Sequence, residues 1–177
     1  MKKKIFAAVL PLLTALMTGC SAGRIHERSY LRALAVNGGA EKELTFAFFA
    51  EDGTVTATGN DIGSAKENAG LKNGRDIFTG YTELIIVDGK ESRSILGEML
   101  REWKVSPSCR VVYCNEGRKL LEENDTEKLL GIAGQAVKQG IAPECDIITV
   151  LGELCEYGAA EAAELYPDGT AGRHIIS

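Results

Sequence analysis

The sequence predicts an α/β fold: a single domain with a mixed β-sheet, an antiparallel hairpin near its N-terminal side, and helices packed on the sheet. Three observations predict it. The chain opens with strand-like runs around an Asp52-Gly53 turn, its middle alternates strand-like and helical runs, and helical runs collect towards its end. This gives the order β-β-β-α-β-α-β-α-α-α.

Residues 31–36 (LRALAV), 44–50 (LTFAFFA) and 54–58 (TVTAT) are rich in β-branched, aromatic and aliphatic residues. Asp-Gly between two such runs is a strong hairpin signal, so this opening is expected to be antiparallel. Asp61 suits the N-cap of a helix over 62–72, with Ile62, Ala65 and Ala69 on one face and Gly74 as its stop. Residues 82–87 (TELIIV) end in an apolar run, as expected of a central strand covered on both faces. In 92–104 (SRSILGEMLREWK), Ile95, Leu96, Met99, Leu100 and Trp103 form one helical stripe before Val105-Ser106-Pro107 breaks it.

Residues 110–114 (RVVYC) read as another strand and 117–122 as a short helix. A helix over 126–139 places Leu129, Leu130, Ala133, Ala136 and Val137 inward and stops at Gly140. A helix over 146–157 places Ile147, Ile148, Leu151 and Leu154 inward and stops at Gly158. Residues 159–177, low in apolar content around Pro167-Asp168-Gly169, read as a loose tail.

The N-terminus has its own logic. Lys2, Lys3 and Lys4 precede an apolar run over 5–16, and Met17-Thr18-Gly19-Cys20 closes it. Such a run is too short to span a bilayer, which takes about 20 residues, and it reads as a secretory signal over 1–19. Its end resembles a bacterial lipobox, in which the cysteine thiol accepts a diacylglyceryl group and becomes the new first residue. Cys20 is therefore the expected lipidation site, with 20–29 as a tether and 30–158 as the domain. Two acyl chains give the stable anchoring that one does not.

The chain holds 20 Lys and Arg against 25 Asp and Glu. Three lysines leave with the signal, so the remainder carries 17 against 25, a net charge of −8. That balance argues against nucleic acid and against electrostatic docking on anionic lipid.

The search for chemistry is short. No nucleophile elbow, phosphate loop or zincin helix occurs in the sequence. Gly131-Ile132-Ala133-Gly134 lies inside a helix, where small residues serve close packing rather than a dinucleotide. Cys109, Cys114, Cys145 and Cys155 form no CxxC, and only His26 and His174 could add imidazole, so neither a metal nor a cofactor is expected. Spacing also disfavours local disulfides, and the four thiols read as small buried apolar residues. His26 in the tether and His174 in the tail are expected to be solvated. Glu51-Asp52 belongs to a turn and Glu122-Glu123 to a helix end. Asn124-Asp125-Thr126 reads as capping chemistry, and Cys114 has no foreseeable histidine partner. No residue is assigned a catalytic role.

One family resemblance covers residues 20 to 157. It is carried by Leu34-Ala35-Val36-Asn37-Gly38, the helix from Ile62 with Ala65, residues 78–87 (FTGYTELIIV), the helix around Ile95 to Trp103, and Arg110-Val111-Val112-Tyr113. In this order, after a lipobox, they resemble the N-terminal domain of the Ger(x)C spore germination lipoproteins, the C subunits of nutrient germinant receptors. Tyr81 stands where that family usually has histidine. The resemblance implies a non-enzymatic lipoprotein that assembles with integral-membrane receptor subunits. It would sit on the outer face of the spore inner membrane or of the cell membrane. It points to Gly80, Tyr81 and Arg110 as possible partner contacts. Their plain structural readings are a tight turn for Gly80, a half-buried ring for Tyr81 and a solvated edge residue for Arg110. A small-ligand-binding envelope lipoprotein is the second reading, and a thiol enzyme using Cys109 or Cys114 the third.

Overall fold

The computed structural model describes residues 27–177. The expected signal segment, Cys20 and tether residues 21–26 lie outside the described residues. The fold is α/β with an eight-stranded mixed sheet.

β1 (Arg28–Asn37), β2 (Lys42–Phe48) and β3 (Thr54–Gly59) form the antiparallel opening. The first strand starts earlier than the tether boundary implies: Ser29 is fully buried and its hydroxyl accepts from Asn73 Nδ2 at 2.6 Å. α1 (Ile62–Asn73) follows, capped by the Asp61 carboxylate on Ser64 N and ended at Gly74 in left-handed backbone. Then come β4 (Asp76–Phe78), β5 (Leu84–Val87), α2 (Ser92–Arg101), β6 (Arg110–Tyr113), α3 (Gly117–Glu123), α4 (Thr126–Lys138), α5 (Ile147–Glu156), β7 (Ala160–Leu165) and β8 (Ala171–Ile176).

The sheet runs β3-β2-β1-β5-β6-β7-β8, with β4 pairing the first residues of β1. β1, β5, β6 and β7 are mutually parallel, and each outer pair is antiparallel. All four residues of β5 are buried, as a central parallel strand requires. Phe46 of β2 stacks on Trp103 at 6.5 Å, and Lys66 of α1 lies over the same indole. α1, α2 and α5 therefore cover one face. On the other, a Cβ at Gly117 would meet Ile86 and Ala35, and α4 packs on β7 and β8, so α3 and α4 lie there.

The largest departure from expectation is at the C-terminus. Residues 159–177 are no loose tail but the β7–β8 hairpin, with Ala160, Ala162, Ala163, Leu165 and Ile176 buried. β7 covers what would otherwise be the open edge of β6. Smaller departures concern helix faces. Ile148 is exposed rather than inward, Val150 is buried in its place, and α2 stops at Arg101 while Trp103 stays buried through the turn beyond.

Candidate functional site

Ligands of open α/β sheets usually bind outside the carboxyl ends of the parallel strands. Here that end is closed by the protein's own groups. Asp88 Oδ2, after β5, accepts from Gly38 N at 3.0 Å, and Lys42 Nζ bridges Glu91 Oε2 and the Gly39 carbonyl, each at 2.8 Å. A Cβ at Gly38 would stand 2.8 Å from that of Lys90, so the two loops are in contact.

The amino ends are open. A groove of about 600 Å³ there is lined by Phe49, Gly80, Tyr81, Glu83, Ser106, Ser108 and Arg110, with Thr82 and Leu130 behind. The three residues to which the resemblance points thus share one site. Their separation in the chain is bridged by the parallel ladder, which pairs Leu84 with Arg110 and bonds Arg110 N to the Glu83 carbonyl at 2.9 Å.

One of the three plain readings holds, that of Gly80, and the other two are revised by their surroundings. Tyr81 is not half-buried: it is 62% exposed, at the rim of an aromatic trio with Tyr30 (6.0 Å) and Phe78 (5.3 Å). Gly80 sits with Tyr81 in a tight turn closed by Thr82 N donating to the Thr79 carbonyl at 3.1 Å, as read, and a Cβ there would also meet the Phe78 ring at 2.8 Å. Arg110 belongs to an interior strand rather than an edge, and is only partly exposed. Its Nη1 donates to the Leu130 carbonyl at 3.1 Å, and the missing side chain of Gly134 leaves room for the guanidinium against α4.

Glu83 completes the groove and is held by Arg32 from outside its lining, and sequence reading missed both. The register of β1 against β2 shifts between Leu31 and Ala33, and a bulge of this kind re-aims a side chain. Arg32 Nε donates to Glu83 Oε2 at 2.9 Å, which raises the guanidinium pKa, and its Cζ lies 5.3 Å from the Phe49 ring centroid. Glu127 and Asp125 approach Arg32 at 3.6 and 4.0 Å from exposed positions. A larger hollow of about 940 Å³ runs along α1 and β4; its charged lining residues Glu27, Glu67, Arg75 and Asp76 are exposed, and the partly buried Lys66 lies over the Trp103 indole.

Elsewhere, Cys109, Cys114 and Cys145 are buried as expected, but Cys155 is exposed. Burial pushes the thiols of Cys109, Cys114 and Cys145 up, opposite to what an activated nucleophile needs. His174 is not a solvated tail residue, because its ring stacks on Tyr113. Asp125 caps α4 through Glu127 N at 2.7 Å, the capping role read for that stretch. Among the described residues no group of three or more His, Cys, Asp or Glu could hold a metal ion, and no helix is long and apolar enough to cross a membrane.

No family model, curated protein or solved structure matches the chain.

Proposed function

We propose that this chain is a lipid-anchored envelope protein that works by assembly rather than turnover, of the type of the Ger(x)C germinant-receptor C subunits. The reading places it on the outer face of the spore inner membrane or of the cell membrane, joined to integral-membrane receptor subunits. One observation carries it. The groove of Gly80, Tyr81 and Arg110 opens at the amino ends of the parallel strands, beside the start of β1.

Arg28, the first residue of β1, stands eight positions after Cys20, so an acylated Cys20 would tether that end within about 28 Å of the bilayer even with the tether fully extended. The groove would then face the side on which a membrane-embedded partner lies. An exposed tyrosine beside two further rings also suits the polar-apolar boundary of such a contact.

The test is co-purification. Tyr81→Ala, checked for an unchanged melting temperature, is expected to lose multi-span membrane subunits that the wild type retains. Unchanged recovery would reject the reading. The groove volume, which falls in the range of ligand pockets, supports a second reading as a small-ligand binder. A rise in melting temperature with one compound of a nutrient panel, unaffected by Tyr81→Ala, would favour that alternative.

A further inference from the structure

We propose that the groove reads a carboxylate side chain flanked by an apolar one on a partner polypeptide, with Arg110 as the receptor and the Tyr81 and Phe49 rings lining the same groove. The inference rests on the assembly reading above and names the chemistry of the partner.

The argument begins with which cations are already satisfied. Arg32 is held by Glu83, Arg75 by Glu51, Arg118 by Glu122 and Glu43, and Arg173 by Glu161. Among the described residues Arg28, Arg93, Arg101 and Arg110 have no carboxylate within 4.0 Å. The first three are exposed, where water hydrates them fully. Arg110 is partly buried, and the one hydrogen bond of its guanidinium among the described residues is to the Leu130 carbonyl. A guanidinium has five donors in a planar fork, so Arg110 retains capacity for a bidentate carboxylate.

The surroundings favour that use. Ser106 and Ser108 hydroxyls bond each other at 2.8 Å on the wall beside it. Glu83, the acid in the groove, is engaged by Arg32, and Asp125 and Glu127 are exposed enough for salt to screen them. The rings of Tyr81 and Phe49 offer apolar contact to the residue next to the carboxylate and exclude water from the pair. Arg over Lys is the expected choice where planar, two-point recognition is needed.

The test uses the full chain in detergent micelles at about 0.15 M salt, where surface charge is screened. Two probes are compared, N-acetyl-Phe-Glu-Phe-amide and its Gln counterpart, with 3-phenylpropionate as a free acid. The Arg110 Nε–Hε signal and the Tyr81 amide are followed by NMR. The Glu peptide is expected to bind about tenfold more tightly than the Gln peptide, the scale of a charged hydrogen bond. Arg110→Gln, which keeps a donor for Leu130, is expected to erase that difference.

Equal affinities for the two peptides on the wild-type chain overturn the proposal, and that comparison needs no variant to fold. Free acid binding as tightly as the Glu peptide overturns it in favour of a small-molecule pocket. If the peptides fail to discriminate while Tyr81→Ala still loses the membrane subunits, assembly stands and the carboxylate rule falls. If the peptides discriminate but co-purification is unchanged, the assembly reading fails and the recognition chemistry stands.

Discussion

The rings of Tyr113 and His174 stack face to face, with centroids 3.4 Å apart and planes 2° from parallel. Tyr113 ends β6 and His174 lies in β8, so the contact reaches across β7 and ties the last hairpin to the parallel sheet. His174 Nδ1 also lies 3.7 Å from Glu164 Oε2, which accepts from the Tyr166 hydroxyl at 2.8 Å. The C-terminal segment is therefore part of the folding unit.

That integration predicts how the hairpin responds to mutation. Ala163 is fully buried in β7, so Ala163→Asp places an unpaired charge in the sheet. A loss of more than about 3 kcal/mol in urea unfolding is expected. Ile175→Thr, at a 63% exposed position two strands from β6, should change stability by less than about 0.5 kcal/mol. A dispensable tail would tolerate both equally.

Core and groove should separate cleanly in the same assay. Phe46 is fully buried against Phe48 and Trp103, and Phe46→Ala is expected to cost about 3–5 kcal/mol. Gly80→Ala forces the Phe78 ring aside and should cost about 1–3 kcal/mol. Tyr81→Ala removes an exposed ring and should cost under about 1 kcal/mol, leaving its effect in partner binding.

Thiol counting tests the anchor and the core together. In the native state Cys155 is the accessible thiol among the described residues. An acylated Cys20 carries no free thiol, so Ellman's reagent should report one group per native molecule and none after Cys155→Ser. Under denaturing conditions it should report the four thiols of Cys109, Cys114, Cys145 and Cys155. Five would mean an unmodified Cys20. Because burial pushes the three inner thiols up, raising the pH to about 9, just above the usual thiol range, should not bring them into the native count.

Asp61 gives a prediction in the acid range. The Ser64 backbone N–H, then the Ser64 hydroxyl, hold its carboxyl below the usual value. A depressed native pKa stabilises the fold above the unfolded value of about 3.9 and loses that stabilisation as pH falls through the native one. The melting temperature of Asp61→Ala should therefore lie below wild type at pH 7, with the gap closing towards pH 2.

Much of this architecture was legible in the chain because its signals are local. Asp52-Gly53 marks the hairpin turn, Asp61 and Asp125 cap α1 and α4, and the stripe of Ile95, Leu96 and Met99 is buried as its spacing predicts. Each of these depends on neighbours within a few residues. Helix faces at the margin were less clear: in α5 Ile148 and Val150 lie at the two opposite edges of the apolar face, so which edge turns inward could not be told until α2 and the sheet were in place.

What the sequence determined by itself, then, is the α/β class, the hairpin and the capped helices, because turn chemistry and periodicity act over one or two turns of chain. What only tertiary structure decided is the end of the sheet and the groove. β7 reads AEAAEL, residues that favour helix when isolated, and it is a strand because β6 and β8 both supply backbone partners. The groove joins Phe49, Tyr81 and Arg110 through a bulge in β1 and the pairing of β5 with β6, and long-range register of that kind has no local code.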